Sequence, residues 1–149
     1  VVVCSGVKSF LDVHKTAEAL ETFGITTVGY KTDCFPLFYT SSSDIKLQHC
    51  YKNAKKVAEL LRLNKEANLS SSILVLNPVP KKHEIPYQEM DSIISSSIVE
   101  MENMGITGKD TTPHLLKTIA QKTENNSLET NIRLALNNIS LGAKIARKI

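Results

Sequence analysis

The spacing of apolar positions changes period several times along the chain, and each change predicts an element. Residues 1–4, Val1-Val2-Val3-Cys4, form an unbroken apolar run rich in β-branched side chains, which predicts a strand covered on both faces. Over residues 12–23 Ala17, Leu20 and Phe23 recur at helical spacing, with Gly24 placed to end the helix in left-handed geometry. Residues 26–30 predict a second strand, followed by an aromatic knot at 34–39 and a polar loop at 40–44. A helix is predicted over 53–66: Ala54, Val57, Ala58 and Leu61 face inward, and Lys55, Lys56, Glu59 and Arg62 face water. Residues 72–76 predict a third strand, halted by Asn77-Pro78, and Pro78, Pro80 and Pro86 stiffen the loop beyond it. Helices are then predicted from Pro86 to near Gly105, and from a Thr112 cap with Pro113 in the first position to about Lys122. Ser127 is positioned to cap the last helix, whose Leu128, Ile132, Ala135, Ile139, Gly142, Ala146 and Ile149 make a continuous apolar stripe.

Strands separated by helices of this length predict a layered α/β fold with a mostly parallel sheet flanked by helices. A chain of 149 residues suffices for one domain and not for two. No composition shift marks an internal boundary, so residues 1–149 read as one domain or part of one. The apolar opening suggests the latter part of a longer chain, in which case any targeting segment lies elsewhere.

Composition narrows the function by exclusion. Lys and Arg number 18 against 15 Asp and Glu, a net charge of +3, which is no footprint for nucleic-acid binding. No apolar run approaches the roughly 18 residues of a membrane-spanning helix. Three cysteines, Cys4, Cys34 and Cys50, cannot all pair internally and lack zinc spacing, so they read as reduced thiols of an intracellular protein. His14, His49, His83 and His114 are likewise scattered without ligand spacing. Residues 105–109, Gly-Ile-Thr-Gly-Lys, imitate a phosphate loop but lack its spacing and a preceding strand, so a plain turn is expected.

Two places could carry chemistry. Lys8 lies just past the carboxyl end of the first strand, where α/β folds place their sites, and Gly6 lets the backbone turn there. An unprotonated amine in such a cleft adds to carbonyl carbon. On residue chemistry alone, a solvated lysine in a strand-to-helix loop is the commoner outcome. On the last helix, Asn131 and Asn138 stand seven apart on one face and border the apolar stripe. Their amides require partners, either a ligand or nearby carbonyls, and structural satisfaction is the commoner of the two.

Several motifs change these weights. Val2-Val3-Cys4-Ser5-Gly6-Val7-Lys8-Ser9-Phe10-Leu11-Asp12 resembles the VVCAGxKSILD motif of the pseudouridine-5′-phosphate glycosidases, also called indigoidine synthase A-like proteins. Val28-Gly29-Tyr30-Lys31-Thr32, Phe35-Pro36-Leu37-Phe38 and Leu74-Val75-Leu76-Asn77-Pro78-Val79-Pro80 resemble further family segments in the same order. So do Gly108-Lys109-Asp110-Thr111-Thr112-Pro113 and Ser127-Leu128-Glu129-Thr130-Asn131-Ile132 with Leu136-Asn137-Asn138. The departures are Ser5 for Ala, Phe10 for Ile, Ser71 and Ser72 for a glycine pair, and Glu124-Asn125-Asn126 for a glycine-rich turn.

The resemblance implies cleavage of the C-glycosidic bond of pseudouridine 5′-phosphate to uracil and ribose 5-phosphate. It implies that Lys8 is the nucleophile, forming an imine with C1 of the ring-opened sugar that serves as electron sink while uracil departs. It implies that Asn131 positions the sugar. Family members are about twice this length, so the chain corresponds to the C-terminal half. The general acid and the ligands of the family's manganese ion (Mn2+) are expected in the other half, and residues 1–149 alone are expected to be inactive. A homotrimer is also implied, with the apolar stripe of the last helix as a compatible contact, together with a cytoplasmic or organellar location. Two other readings remain open: a non-catalytic homologue that keeps the fold for partner binding, and another imine-forming enzyme acting on a sugar phosphate.

Overall fold

Side-chain caps set the first two helices. Asp12 accepts the Lys15 N–H at 3.0 Å ahead of α1 (Val13–Thr22), and Asn53 accepts the Lys56 N–H at 3.0 Å ahead of α2 (Ala54–Glu66). Gly24, at φ +62°, ends the first as expected. The strands are β1 (Val2–Cys4), β2 (Thr26–Tyr30), β3 (Cys50–Tyr51) and β4 (Ile73–Leu76). Three helices follow: α3 (Tyr87–Asn103), α4 (Thr111–Lys122) and α5 (Asn126–Ala146). In this computed structural model, which describes residues 1–149, the four strands form one parallel sheet in the order β1-β4-β2-β3. The layered α/β reading therefore holds. β3, two residues long, carries no periodicity and was not anticipated.

Register places Val3 and Val28 on either side of Val75, on the sheet face that α2 and α5 cover. There Val28, Ile73 and Val75 pack with Val57 and Ala58 of α2 and Leu141 and Ile145 of α5. A second core joins Met90, Ile94 and Met101 of α3 to Leu115 and Ile119 of α4, closed by Tyr39 and Ile85. The aromatic knot thus belongs to the helical core as well as to the sheet's edge.

Five expectations need correction. Residues 1–4 are not covered on both faces: β1 is an edge strand with β4 as its one partner, and Val1 and Val2 are exposed. Phe23 is exposed and adds nothing to the inward side of α1. The apolar stripe of α5 faces solvent at Leu128, Ile132 and Ile139, while its buried face is Ser127, Thr130, Leu134, Leu141 and Ile145. Ser127 does not cap α5: it lies inside the first turn, where its N–H donates to the Thr123 hydroxyl at 3.1 Å. Thr112 likewise lies within α4, which a short 3-10 turn (Gly108–Asp110) leads into from Asp110. Among the departures from family pattern, Ser71 and Ser72 avoid positive φ, whereas Glu124 and Asn125 adopt it at 49° and 67°.

Candidate active site

The turn after β1 is held by a segment 30 residues away. Gly6, at φ +84°, forms an antiparallel bridge to Leu37. The Phe38 N–H donates to the Ser5 carbonyl at 3.0 Å, and the Ser9 hydroxyl donates to the Leu37 carbonyl. Phe35, Leu37 and Tyr39 are buried, so the knot is a rigid wall against which residues 5–9 are pinned. Lys8 closes its own turn by accepting the Leu11 N–H at 2.8 Å. Its side chain is half-buried and enters no ion pair, and Nζ stands 6.0 Å from the centre of the Phe10 ring. Fixed backbone and an uncommitted amine are the two properties a positioned nucleophile requires.

Behind the turn, α5 is tied to the strand ends by amides. Asn138 Nδ2 donates to the Ser5 hydroxyl at 3.1 Å, and Asn138 Oδ1 accepts from Asn77 Nδ2 at 3.0 Å. Asn77 and Ser5 are buried, and Asn137 Nδ2 adds a bond to the Pro78 carbonyl at 3.1 Å. Of the two α5 asparagines singled out from sequence, Asn138 is therefore structural. Asn131, two turns earlier and about 10 Å along the axis, is half-buried and makes no side-chain hydrogen bond. No hydrogen bond joins Lys8 to Asn131. Asn77 was read only as a strand stop; the cue that it does more is an amide at the carboxyl end of a central parallel strand.

Asn138→Ala leaves the buried Asn77 amide and Ser5 hydroxyl without their partners, an expected loss of about 2–3 kcal/mol in urea unfolding. A loss below about 1 kcal/mol would assign the junction to packing instead.

Around Lys8, burial pushes the Cys4 thiol up, the opposite of an activated cysteine. A cavity of about 610 Å³ opens at the ends of β2 and β4 between Lys31, Lys81 and Lys144, and neither Lys8 nor Asn131 lines it. No three His, Cys, Asp or Glu side chains come together to hold a metal ion. These residues therefore form no donor set for the manganese that the resemblance implies. No helix is long and apolar enough to cross a membrane.

The sequence pattern of the indigoidine synthase A like proteins matches residues 1–148. The chain belongs to that family. Family relatives named pseudouridine-5′-phosphate glycosidase include one from Staphylococcus aureus, 43% identical over 145 residues, covering 97% of this chain and 47% of the relative. Another from Legionella pneumophila is 46% identical over 145 residues, covering 97% of this chain and 46% of the relative. The chain spans about half the length of the curated relatives it matches. The crystal structure of the indigoidine synthase A-like protein of Thermotoga maritima superposes with a TM-score of 0.86 at 37% identity, over 97% of this chain and 47% of that one. The prealnumycin C-glycosynthase AlnA, crystallised with ribulose 5-phosphate, superposes with a TM-score of 0.84 at 23% identity, over 97% of this chain and 47% of that one. That second likeness speaks to the fold.

Proposed function

We propose that this chain supplies the imine-forming lysine of a pseudouridine-5′-phosphate glycosidase. The observation that carries the reading is Lys8, with its uncommitted amine, on a pinned turn at the carboxyl end of β1, in a chain whose family relatives bear that name. A C-glycoside offers no oxygen or nitrogen leaving group, so protonating a heteroatom cannot break the bond to the base. Covalent catalysis supplies an alternative route. Lys8 Nζ bonds to C1 as the C1–O4′ bond breaks, O4′ takes a proton and the nitrogen loses one, and the nitrogen lone pair is then available to form C=N. The C–C bond to uracil then breaks, its electron pair passes to the uracil carbon, and that carbon takes a proton. What remains on Lys8 is an imine, and water releases ribose 5-phosphate and the free amine. Asn131, with no partner inside the fold, hydrogen-bonds the sugar.

The proton donor, and the carboxylates that hold manganese, come from the half of the family fold outside these 149 residues. Alone, this chain does not turn over. The complete enzyme is a cytoplasmic or organellar homotrimer that takes no nucleic acid. Borohydride added during turnover by an enzyme completed with that other half should reduce the imine and leave a ribose-phosphate label on the peptide containing Lys8. Turnover without a label, or a label on another lysine, would remove Lys8 from the role. Release of a carbonyl fragment in place of uracil would point to an aldolase.

A further inference from the structure

The loop that follows β4 has no part in the chemistry above, yet it is bonded to the supports of both candidate residues. Pro78 and Pro80 fix their own φ, Val79 is buried, and the His83 N–H donates to the Pro80 carbonyl at 2.8 Å, so residues 77–83 hold one shape. At its start the Asn77 N–H donates to the Cys4 carbonyl at 2.7 Å, at the end of the strand that leads to Lys8. Along its length the loop is bonded to α5 in antiparallel order. The Thr130 hydroxyl donates to the His83 carbonyl at 2.8 Å, Asn137 Nδ2 to the Pro78 carbonyl at 3.1 Å, and Asn77 Nδ2 to Asn138 Oδ1 at 3.0 Å. Asn131 follows Thr130 directly and lies inside the span from Thr130 to Asn138, about 12 Å of helix axis. Thr130 is 1% exposed on a face otherwise built from Leu134, Leu141 and Ile145, a place where an apolar side chain would pack without needing a partner.

We infer that Thr130 and Asn138 are positioning residues: they clamp α5 to the 77–83 loop on either side of Asn131, and so set where its amide stands relative to the turn that carries Lys8. The inference rests on the reading of Lys8 and Asn131 given above. Leu134, Leu141 and Ile145 already hold α5 to the sheet, but apolar contact has no direction and leaves the helix free to shift along its axis. Hydrogen bonds demand a distance and an angle, and they fix that shift. The demand is severe at a group that binds substrate, where a displacement of about 1 Å lowers the rate about 10²-fold. Asn138 also reaches the nucleophile's side, since its Nδ2 donates to the hydroxyl of Ser5, which opens the turn towards Lys8, at 3.1 Å. Ser5 stands where the family motif has Ala, so that arm of the clamp belongs to this chain. The arms to Asn77 and His83 do not depend on it.

The test measures kcat/KM for uracil release, well below the unfolding temperature, in the enzyme completed with the other half of the fold. Asn138→Ala is compared with Val57→Ala, which thins the same sheet core from α2 and touches none of these bonds. Both variants lower Tm. Asn138→Ala is expected to lower kcat/KM about 10-fold or more, and Val57→Ala less than about 3-fold. In an Asn131→Ala background, Asn138→Ala should cost less than about 3-fold further, because the group it positions is gone. If Asn138→Ala shows no cooperative transition, Thr130→Val carries both comparisons, being nearly the same shape without the donor to His83. Equal losses in Asn138→Ala and Val57→Ala would show activity following stability and overturn the clamp. Losses that multiply across Asn131→Ala would overturn it too, as would an Asn131→Ala enzyme that keeps the parent rate. Multiplying losses with Lys8 labelled by borohydride remove the clamp and keep the functional reading. The non-additive loss with Lys8 unlabelled keeps the clamp on Asn131 and removes the lysine from the reaction.

Discussion

Lys8→Ala, in an enzyme completed with the other half of the fold, is expected to lower kcat for uracil release by about 10⁴-fold or more. Its Tm should stay within about 2 °C of the parent. The two expectations separate because of what the side chain touches. Lys8 enters no ion pair, and its amine has only the Phe10 ring, at 6.0 Å, as a marked neighbour. Such a cation–π contact contributes about 0.5–1 kcal/mol at most when partly solvated. The turn itself is held by backbone bonds that alanine keeps, among them Leu11 N–H to the residue 8 carbonyl. Lys8→Arg should be as inactive as the alanine variant, because a guanidinium keeps its charge and cannot act as the adding amine. Chromatographic detection of uracil decides the matter. Retention of a tenth of the parent rate by either variant would show that the amine forms no obligatory bond, and would favour the reading of a binding homologue.

How much of this was legible before the structure differs element by element. Asp12 and Asn53 were visible as helix starts because a cap is a local device: one side chain reaching an N–H three residues on. β3 was invisible for the opposite reason. Cys50 and Tyr51 become strand only by pairing with Gly29 and Tyr30, some twenty residues earlier, and two residues carry no period. The orientation of α5 was misleading because its buried face is partly polar. Ser127, Thr130 and Asn138 face inward because Thr123, the His83 carbonyl and the Asn77–Ser5 pair are waiting there. The cleaner apolar stripe faces out. A moment drawn from sequence counts hydrophobicity and has no access to partners contributed by distant loops. The site divides in the same way. Lys8 was singled out as a candidate through its motif and the strand end before it, whereas the wall that pins its turn comes from residues 35–39.

That wall makes Gly6 the most sensitive backbone position beside the site. Gly6→Ala is expected to cost about 3 kcal/mol or more, a fall in Tm of about 10 °C or more. Positive φ alone, at +84°, accounts for about 1 kcal/mol. The larger part is contact. A Cβ at Gly6 would stand 1.7 Å from the Pro36 carbonyl oxygen and 2.6 Å from its carbon. Both are backbone atoms, so no rotamer change relieves the overlap, and the bridge from Gly6 to Leu37 has to open. Gly24 supplies the control: its φ is +62°, yet a Cβ there meets nothing within 4 Å, so Gly24→Ala should lose only the conformational part, about 1 kcal/mol. The difference between the two alanines measures the contact with Pro36. In the completed enzyme the same opening moves the turn that carries Lys8, and a displacement of about 1 Å would lower turnover about 10²-fold even in molecules that remain folded. If both alanines lose the same stability, the loop has room to yield at Pro36, and the knot does not fix the turn that carries Lys8.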